Sequence, residues 1–509
     1  MAGADRERGL ADTEGVTGVP VTGDPWTNRD PWTDRDLEEF SERALSWVLQ
    51  YWRTGGDLPV LARCDPGSVR QRLPLHPPEA PEPLAQLLDD FESTVVPGIT
   101  HWNHPGFFGY FAISSTPPSI VGELLIAALN VNAMVWRSSP AATELEEVSL
   151  RWLAELLGLP AQLFGTINDT ASTSTMYALA AARHSAAPES TALGLAGGPE
   201  LRVYTSTEAH SSVDKAVQTL GLGRSGLVRV PPDAQFRMDT DALIAAIETD
   251  LAAGKSPMAI VATAGTTSTS SVDPIGVVAD IAERFGLWFH VDAAYGGSAA
   301  VLPERRRLLR GWERADSIVV NPHKWLFVSI DCSVLYVRDR ESLKAAFSLT
   351  PEYLKTDEDG RVIHLMDYGL ALGRRFRALK LWFVLRAYGA SGIRQRIAAH
   401  IEMARHFASW VDEEEGWRRA APVPFSLVVF RYEGGGPDAS VSAASNAAAD
   451  DLNRRILNRV NESGEAFLSH TVLGGQTWLR LAVGNARTRL AHVERAWVLL
   501  REAAAAEGS

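Results

Sequence analysis

Residues 287–294, "LWFHVDAA", are largely apolar on both faces and then place an aspartate where the strand must end. A strand with one solvated face alternates polar and apolar residues, whereas a near-continuous apolar run suits a strand covered on both sides. Working outward, "MAIVATAG" (258–265) and "SIVVNP" (317–322) have the same texture, as do "LRVYTS" (201–206) and "GLVRVP" (226–231) upstream. Helical stretches fall between them, among them "DALIAAIETDLAAG" (241–254) and "IGVVADIAERFG" (275–286). This alternation predicts an α/β protein with a mostly parallel sheet and helices on both faces.

The flanks read differently. Residues 1–35 lack periodicity, contain the echo "DPWTNRDPWTDRD" (24–36), and are expected to be a flexible leader ending in a helix cap. Residues 36–106 hold the helical "LEEFSERALSWVLQY" (37–51), an extended Pro-rich linker (74–83) and a second helix, "LAQLLDDFESTVV" (84–96). Such helices have few ways to bury themselves alone and often pack on a partner subunit. The large domain is expected over 107–385. A small α+β domain follows over 386–509, with strands "FSLVVFRY" (425–432) and "TWLRLAVG" (477–484).

Composition excludes several function classes. No run approaches the roughly 20 apolar residues that cross a bilayer, and "MAGADRERGLADTEG" lacks the apolar core of a secretory signal, so a cytoplasmic protein without membrane contact is expected. Cys64 and Cys332 are too few for a disulfide framework, lack metal-site spacing, and read as ordinary small apolar side chains. A formal charge of −13 argues against non-specific nucleic-acid binding without excluding a local anion site.

In a parallel sheet, ligands bind where loops leave the C-terminal ends of strands. Asp292 stands at such an end, where it either caps a turn or is kept ionised by a cation. Lys324, in "NPHKW" (321–325), closes another strand, and lysine is rarely buried without a task. A desolvated lysine is a competent amine nucleophile for an aldehyde. Paired with a strand-end carboxylate it suits pyridoxal phosphate, whose aldehyde the lysine holds and whose pyridine nitrogen the carboxylate keeps protonated. The phosphate then needs neutral donors near a helix N-terminus. Thr170, Ala171 and Ser172, ahead of the helix in "NDTASTSTMYALAAAR" (168–183), supply either that cradle or a plain serine-threonine cap.

From "DFESTVVPGITHWNHPGFFGYF" (90–111) through "SPAATELE" (139–146), "EAHSSVDKA" (208–216), "HVDAAYGGSA" (290–299), "NPHKW" and "LGRRFRALKLWF" (372–383), the chain resembles the group II pyridoxal-phosphate decarboxylases, specifically the aromatic-L-amino-acid decarboxylases. The resemblance implies fold type I with a seven-stranded central sheet, and a homodimer with active sites at the subunit interface clasped by the N-terminal helices. It matches Lys324 to the cofactor-bearing lysine, Asp292 to the pyridinium partner and His210 to the imidazole stacked on the ring. Ala294 would pack on the other face, Thr267 near the ring, and Ala171, Ser172 and Asn321 at the phosphate. Tyr353, in "FSLTPEYLKTDEDG" (347–360), matches the proton donor on a mobile loop, and His323 is expected to join that relay. Related aldehyde synthases carry phenylalanine in place of Tyr353 or asparagine in place of His210, so both positions favour simple decarboxylation.

Substrate preference is expected to be aromatic. Gly373 matches a position that is glycine in indole-preferring relatives and serine in tyrosine-preferring ones, while tryptophan, 5-hydroxytryptophan, dopa, tyrosine and phenylalanine all stay open. Trp102, Ile113, Asn132 and Met134 are the other expected pocket residues, with Ile113 replacing a threonine of the animal pattern. Asn132 could meet a ring hydroxyl, an indole N–H or only a local backbone group. A paralogue without catalysis would have lost Lys324, Asp292, His210 or Tyr353, and all four are present. "GLGRSG" (221–226) follows a helix and precedes a strand, the reverse of the dinucleotide-binding order. His101 and His104 lack a third metal ligand and are expected to shape the pocket entrance.

Overall fold

The computed structural model describes residues 32–349, 358, 360–434 and 443–508. They form two compact units, one from residues up to 52 together with 64–98, the other from 53–63 together with 99 onward.

In the first unit a helix runs over Asp34–Thr54, opened by Thr33, whose amide and hydroxyl both bond the Asp36 carboxylate at 2.7 Å. None of its side chains is buried, and Leu37, Leu45 and Leu49 stand exposed. The segment 84–96 is the second expected helix, but it relaxes from α (Leu84–Asp90) to π geometry (Phe91–Val95). Arg43 ties the two helices through Asp89 at 2.5 Å, and Trp47 meets Phe91 edge-on at 4.8 Å.

The second unit contains the expected sheet. Its strands are β1 (Phe164–Asn168), β2 (Leu201–Ser206), β3 (Leu227–Val230), β4 (Ser256–Thr263), β5 (Trp288–Asp292), β6 (Ser317–Val320) and β7 (Ser333–Val337). Their spatial order is β1-β7-β6-β5-β4-β2-β3. Every pair from β6 to β3 is parallel, and β7 runs antiparallel to both β6 and β1. Reading the sequence finds β2 to β6 and misses β1 and β7, which sit between helices whose periodicity dominates. The C-terminal ends of β1, β2, β4, β5 and β6 therefore share one edge, because β1 is antiparallel to a strand that is antiparallel to β6.

A smaller antiparallel sheet follows, with β8 (Trp417–Arg419), β9 (Leu427–Tyr432), β10 (Ser469–Leu473) and β11 (Gln476–Ala482) in the order β10-β11-β9-β8. One face packs on helices Ala378–Glu413, Ala443–Glu462 and Leu490–Glu507 through Phe407, Ile456, Val460, Val493 and Leu500. The other carries Leu427, Val429, Trp478 and Ala482 against Phe111. No helix among the described residues is long and apolar enough to cross a membrane.

Candidate active site

The site grows from the way β6 stops. Val320 ends the strand, Asn321 stays extended as a residue before proline must, and Pro322 opens a single helical turn, Pro322–Trp325. That turn places Lys324 just past the edge, and its backbone is pinned by Lys324 N–H to Asn321 O at 2.9 Å. Asp292 ends the neighbouring β5, the loop holding Thr267 leaves β4, and His210 follows β2. Thr170 follows β1 as the cap of helix Ala171–Ala186, its hydroxyl accepting from Thr173 N–H. Ala171 and Ser172 belong to the first turn of that helix, where geometry gives their amides no intrahelical acceptor.

Burial pushes the Lys324 amine below its usual value, and Asp292 opposes this electrostatically. Among the described residues no N···O contact within 4.0 Å joins the two, so Asp292 acts on the amine across a gap. Asp292 accepts from Ala294 N–H at 3.1 Å. The His210 ring, open to solvent on one side, accepts at Nδ1 from Ser212 N–H at 3.1 Å, which leaves the proton on Nε2. Its pKa is lowered, first by burial and then by Lys324, against the pull of Asp292. His323 is buried, accepts at Nδ1 from Cys332 N–H at 2.9 Å, and is lowered to about 3, mainly by burial with Lys324 adding to it. It is therefore a neutral imidazole with its N–H at Nε2.

A wall of stacked rings closes the lysine side. Lys324 Nζ lies 5.5 Å from the Phe111 ring, which stacks on Tyr295 at 3.8 Å, which in turn stacks on Trp325 at 4.9 Å. Trp325 Nε1 donates to His400 Nδ1 at 3.0 Å. Arg480 sits on the same Phe111 ring at 5.5 Å and donates to Thr267 O, Ser268 O and Ser469 Oγ at 2.8, 3.1 and 2.9 Å. Burial lowers it to about 10. Sequence reading missed Arg480, although an arginine inside the apolar "TWLRLAVG" was a visible sign.

Other expected pocket residues form a second group. Asn132 Oδ1 accepts from Arg374 N–H at 2.9 Å, Ala133 N–H donates to Arg374 O at 2.8 Å, and Asn132 Nδ2 reaches Met134 Sδ at 3.5 Å. A Cβ added at Gly373 would have Asn132 Nδ2, at 3.9 Å, as its nearest neighbour. Trp102 stacks on Phe107 and Tyr110, and Ile113 is half-buried. Tyr353 lies outside the described residues. His104 is buried, with Nε2 bonded to Gly56 O at 2.8 Å and Nδ1 accepting from Gly106 N–H at 2.9 Å. Among the described residues no cluster of three or more His, Cys, Asp or Glu could hold a metal.

The pyridoxal-dependent decarboxylase conserved domain matches residues 66–433. The chain belongs to the pyridoxal-dependent decarboxylases. Tryptophan decarboxylase 1 of Oryza sativa subsp. japonica is 38% identical over 482 residues, covering 92% of this chain and 93% of that protein. Phenylacetaldehyde synthase of Arabidopsis thaliana is 38% identical over 478 residues, covering 92% and 96%. The crystal structure of Oryza sativa TDC with PLP and tryptamine superposes with a TM-score of 0.89 at 37% identity, covering 94% of this chain and 99% of that one. As in other pyridoxal-dependent decarboxylases, the cofactor is pyridoxal phosphate. The residues fit it: a desolvated amine on the half-buried Lys324 and a carboxylate are spaced apart, first-turn amides stand on the same edge, and the buried Asn321 Oδ1 beside Lys324 has no partner among the described residues.

Proposed function

We propose that this chain is a homodimeric, cytoplasmic aromatic-L-amino-acid decarboxylase that converts its substrate to the arylalkylamine and carbon dioxide without nucleic-acid or membrane partners. The observation that carries this reading is the half-buried Lys324, its amine desolvated and opposed by Asp292 across a gap, on the C-terminal edge of the sheet. Pyridoxal phosphate supplies an aldehyde for the amino group and a ring that withdraws the electron pair left when carbon dioxide departs.

The chain's own residues do the rest. Lys324 would hold the cofactor's aldehyde carbon. Asp292 would keep a proton on the pyridine nitrogen, His210 would cover one face of the ring and Ala294 the other, and Thr267 would border it. Thr170, Ala171, Ser172 and Asn321 would hold the phosphate. The electron pair at the substrate α-carbon must receive one proton, which Tyr353 delivers while His323 Nε2–H supports the relay. Trp102 and Ile113 line the ring pocket, completed by Asn132, Met134 and Gly373 of a second copy. The exposed Val121, Leu124, Leu125 and Leu129 on helix Pro117–Leu129, and the uncovered leucines of helix Asp34–Thr54, support such a copy, since a monomer leaves both apolar faces in water. The segment 36–106 is the arm that would clasp it.

The test is an assay of purified holoenzyme on aromatic L-amino acids, measuring amine, carbon dioxide, aldehyde and peroxide together. Amine equal to carbon dioxide is expected. Oxygen-dependent aldehyde and peroxide as the main products would replace decarboxylation by the aldehyde-synthase reaction, and no turnover would remove the enzymatic reading.

A further inference from the structure

The second group of pocket residues contains an asymmetry that bears on substrate. Asn132 carries an acceptor and a donor on one amide, and which of them faces the pocket is fixed by what holds the other. Here the holder is a backbone N–H, that of Arg374 at 2.9 Å, which only Oδ1 can satisfy. The Nδ2 donors are then turned away from Arg374, toward Met134 Sδ at 3.5 Å, a weak acceptor, and toward the space that Gly373 leaves empty.

This orientation is locked from behind. The Arg374 guanidinium is buried and donates to Glu146 Oε1 at 2.9 Å, Thr166 Oγ1 at 3.1 Å and Ile167 O at 2.7 Å. Glu146 is itself held by Ile167 N–H at 2.9 Å. Arg374 O takes Ala133 N–H, and Asn132 O takes Ser138 Oγ–H at 2.8 Å, so the backbone on either side of the Asn132 amide is fixed as well.

We propose that Asn132 makes this enzyme select amino acids whose aromatic ring bears a hydroxyl, such as tyrosine, dopa and 5-hydroxytryptophan, by donating from Nδ2 to the ring oxygen in the space beside Gly373. An unsubstituted phenyl ring offers no acceptor there, and an indole N–H is a donor that meets a donor. The inference rests on the proposed aromatic decarboxylation and on Asn132 lining the ring pocket. Glu146 and Arg374 act as positioning residues, because they set the amide without meeting the ring.

The experiment compares kcat/KM for tyrosine against phenylalanine, and for 5-hydroxytryptophan against tryptophan, in the wild-type holoenzyme, Asn132→Leu and Asn132→Ser. The serine variant keeps a small acceptor for the Arg374 N–H but is too short to reach a ring. A second readout uses 3-(4-hydroxyphenyl)propanoate and 3-phenylpropanoate as competitive inhibitors, which have no amino group to react. One neutral hydrogen bond predicts a preference of about tenfold for the hydroxylated member of each pair in the wild type. Both variants are expected to bring every ratio within about twofold of unity. Ratios unchanged in the variants, a wild-type preference for the unhydroxylated ring, or variants that lose all turnover would each overturn the inference while leaving decarboxylation standing. A wild type that decarboxylates no aromatic acid would remove the reading beneath it instead.

Discussion

An uncharged lysine amine is a nucleophile and a charged one is not, so the surroundings of Lys324 matter as much as its identity. Burial favours the neutral form, and Asp292 restrains the shift without touching the amine. An aspartate placed to protonate a pyridine nitrogen must itself stay charged, which an amide of the same shape cannot imitate. Asp292→Asn is therefore expected to keep bound cofactor, seen by its visible absorbance, while kcat falls at least about 100-fold, on the order of 3 kcal/mol of lost transition-state stabilisation. A variant with near-normal kcat would show that the carboxylate does not govern the electron sink. Both residues were legible in the sequence because Asp292 breaks an apolar run at its strand end and Lys324 follows the proline that stops the next strand. Arg480 breaks one too, but mid-strand, where a charged residue reads as the solvated face of an antiparallel sheet until the packing of Phe111 against that face is seen.

Elements were legible where an apolar run is set off from its neighbours rather than where it is long. Strands β2 to β6 stand out against the helices that separate them, and β6 ends one residue before the Asn321-Pro322 pair, as the steric demand of proline dictates. What one sequence could not supply is which distant elements meet. The "SPAATELE" helix and the "LGRRF" stretch were quoted for their motifs, yet Glu146 and Arg374 form a buried ion pair 228 positions apart, reaching strand β1 as well. A buried pair is weak evidence of net stability, because desolvation offsets attraction, but removing one partner strands the other charge. Glu146→Gln is expected to destabilise the protein by about 3–5 kcal/mol, measured as a lower urea midpoint at unchanged slope. A change under about 1 kcal/mol would mean that water reaches Arg374 and solvates it, and the lock on Asn132 would then be looser than the distances imply.

Over the whole molecule, buried histidines set the response to acid. Burial lowers His290, His400 and His104 to about 4 and His323 to about 3, while an unfolded chain titrates near the ordinary 6.5. As pH falls below 6.5 the unfolded chain takes up protons that the folded one refuses, so their stability contribution is complete above 6.5 and is lost progressively toward pH 4. For the fully buried His290 and His400 the loss is about 3 kcal/mol each at 1.36 kcal/mol per pKa unit. Asp273 works in the opposite sense. Burial raises it to about 6 against its two backbone N–H bonds from Met238 and Thr263, so the folded state binds its proton first, and this contribution weakens as pH rises from about 4 to 6. These histidines, joined by His101 and His492, which burial also lowers, are expected to outweigh Asp273 and the likewise raised Glu147, Glu208 and Asp316, and the urea midpoint is expected to fall between pH 7 and pH 5. His400→Gln separates this cause from general acid damage: glutamine can still accept from Trp325 Nε1 but cannot take a proton, so its midpoint should fall less steeply over the same range. An equally steep fall in that variant would assign the acid sensitivity to groups other than His400.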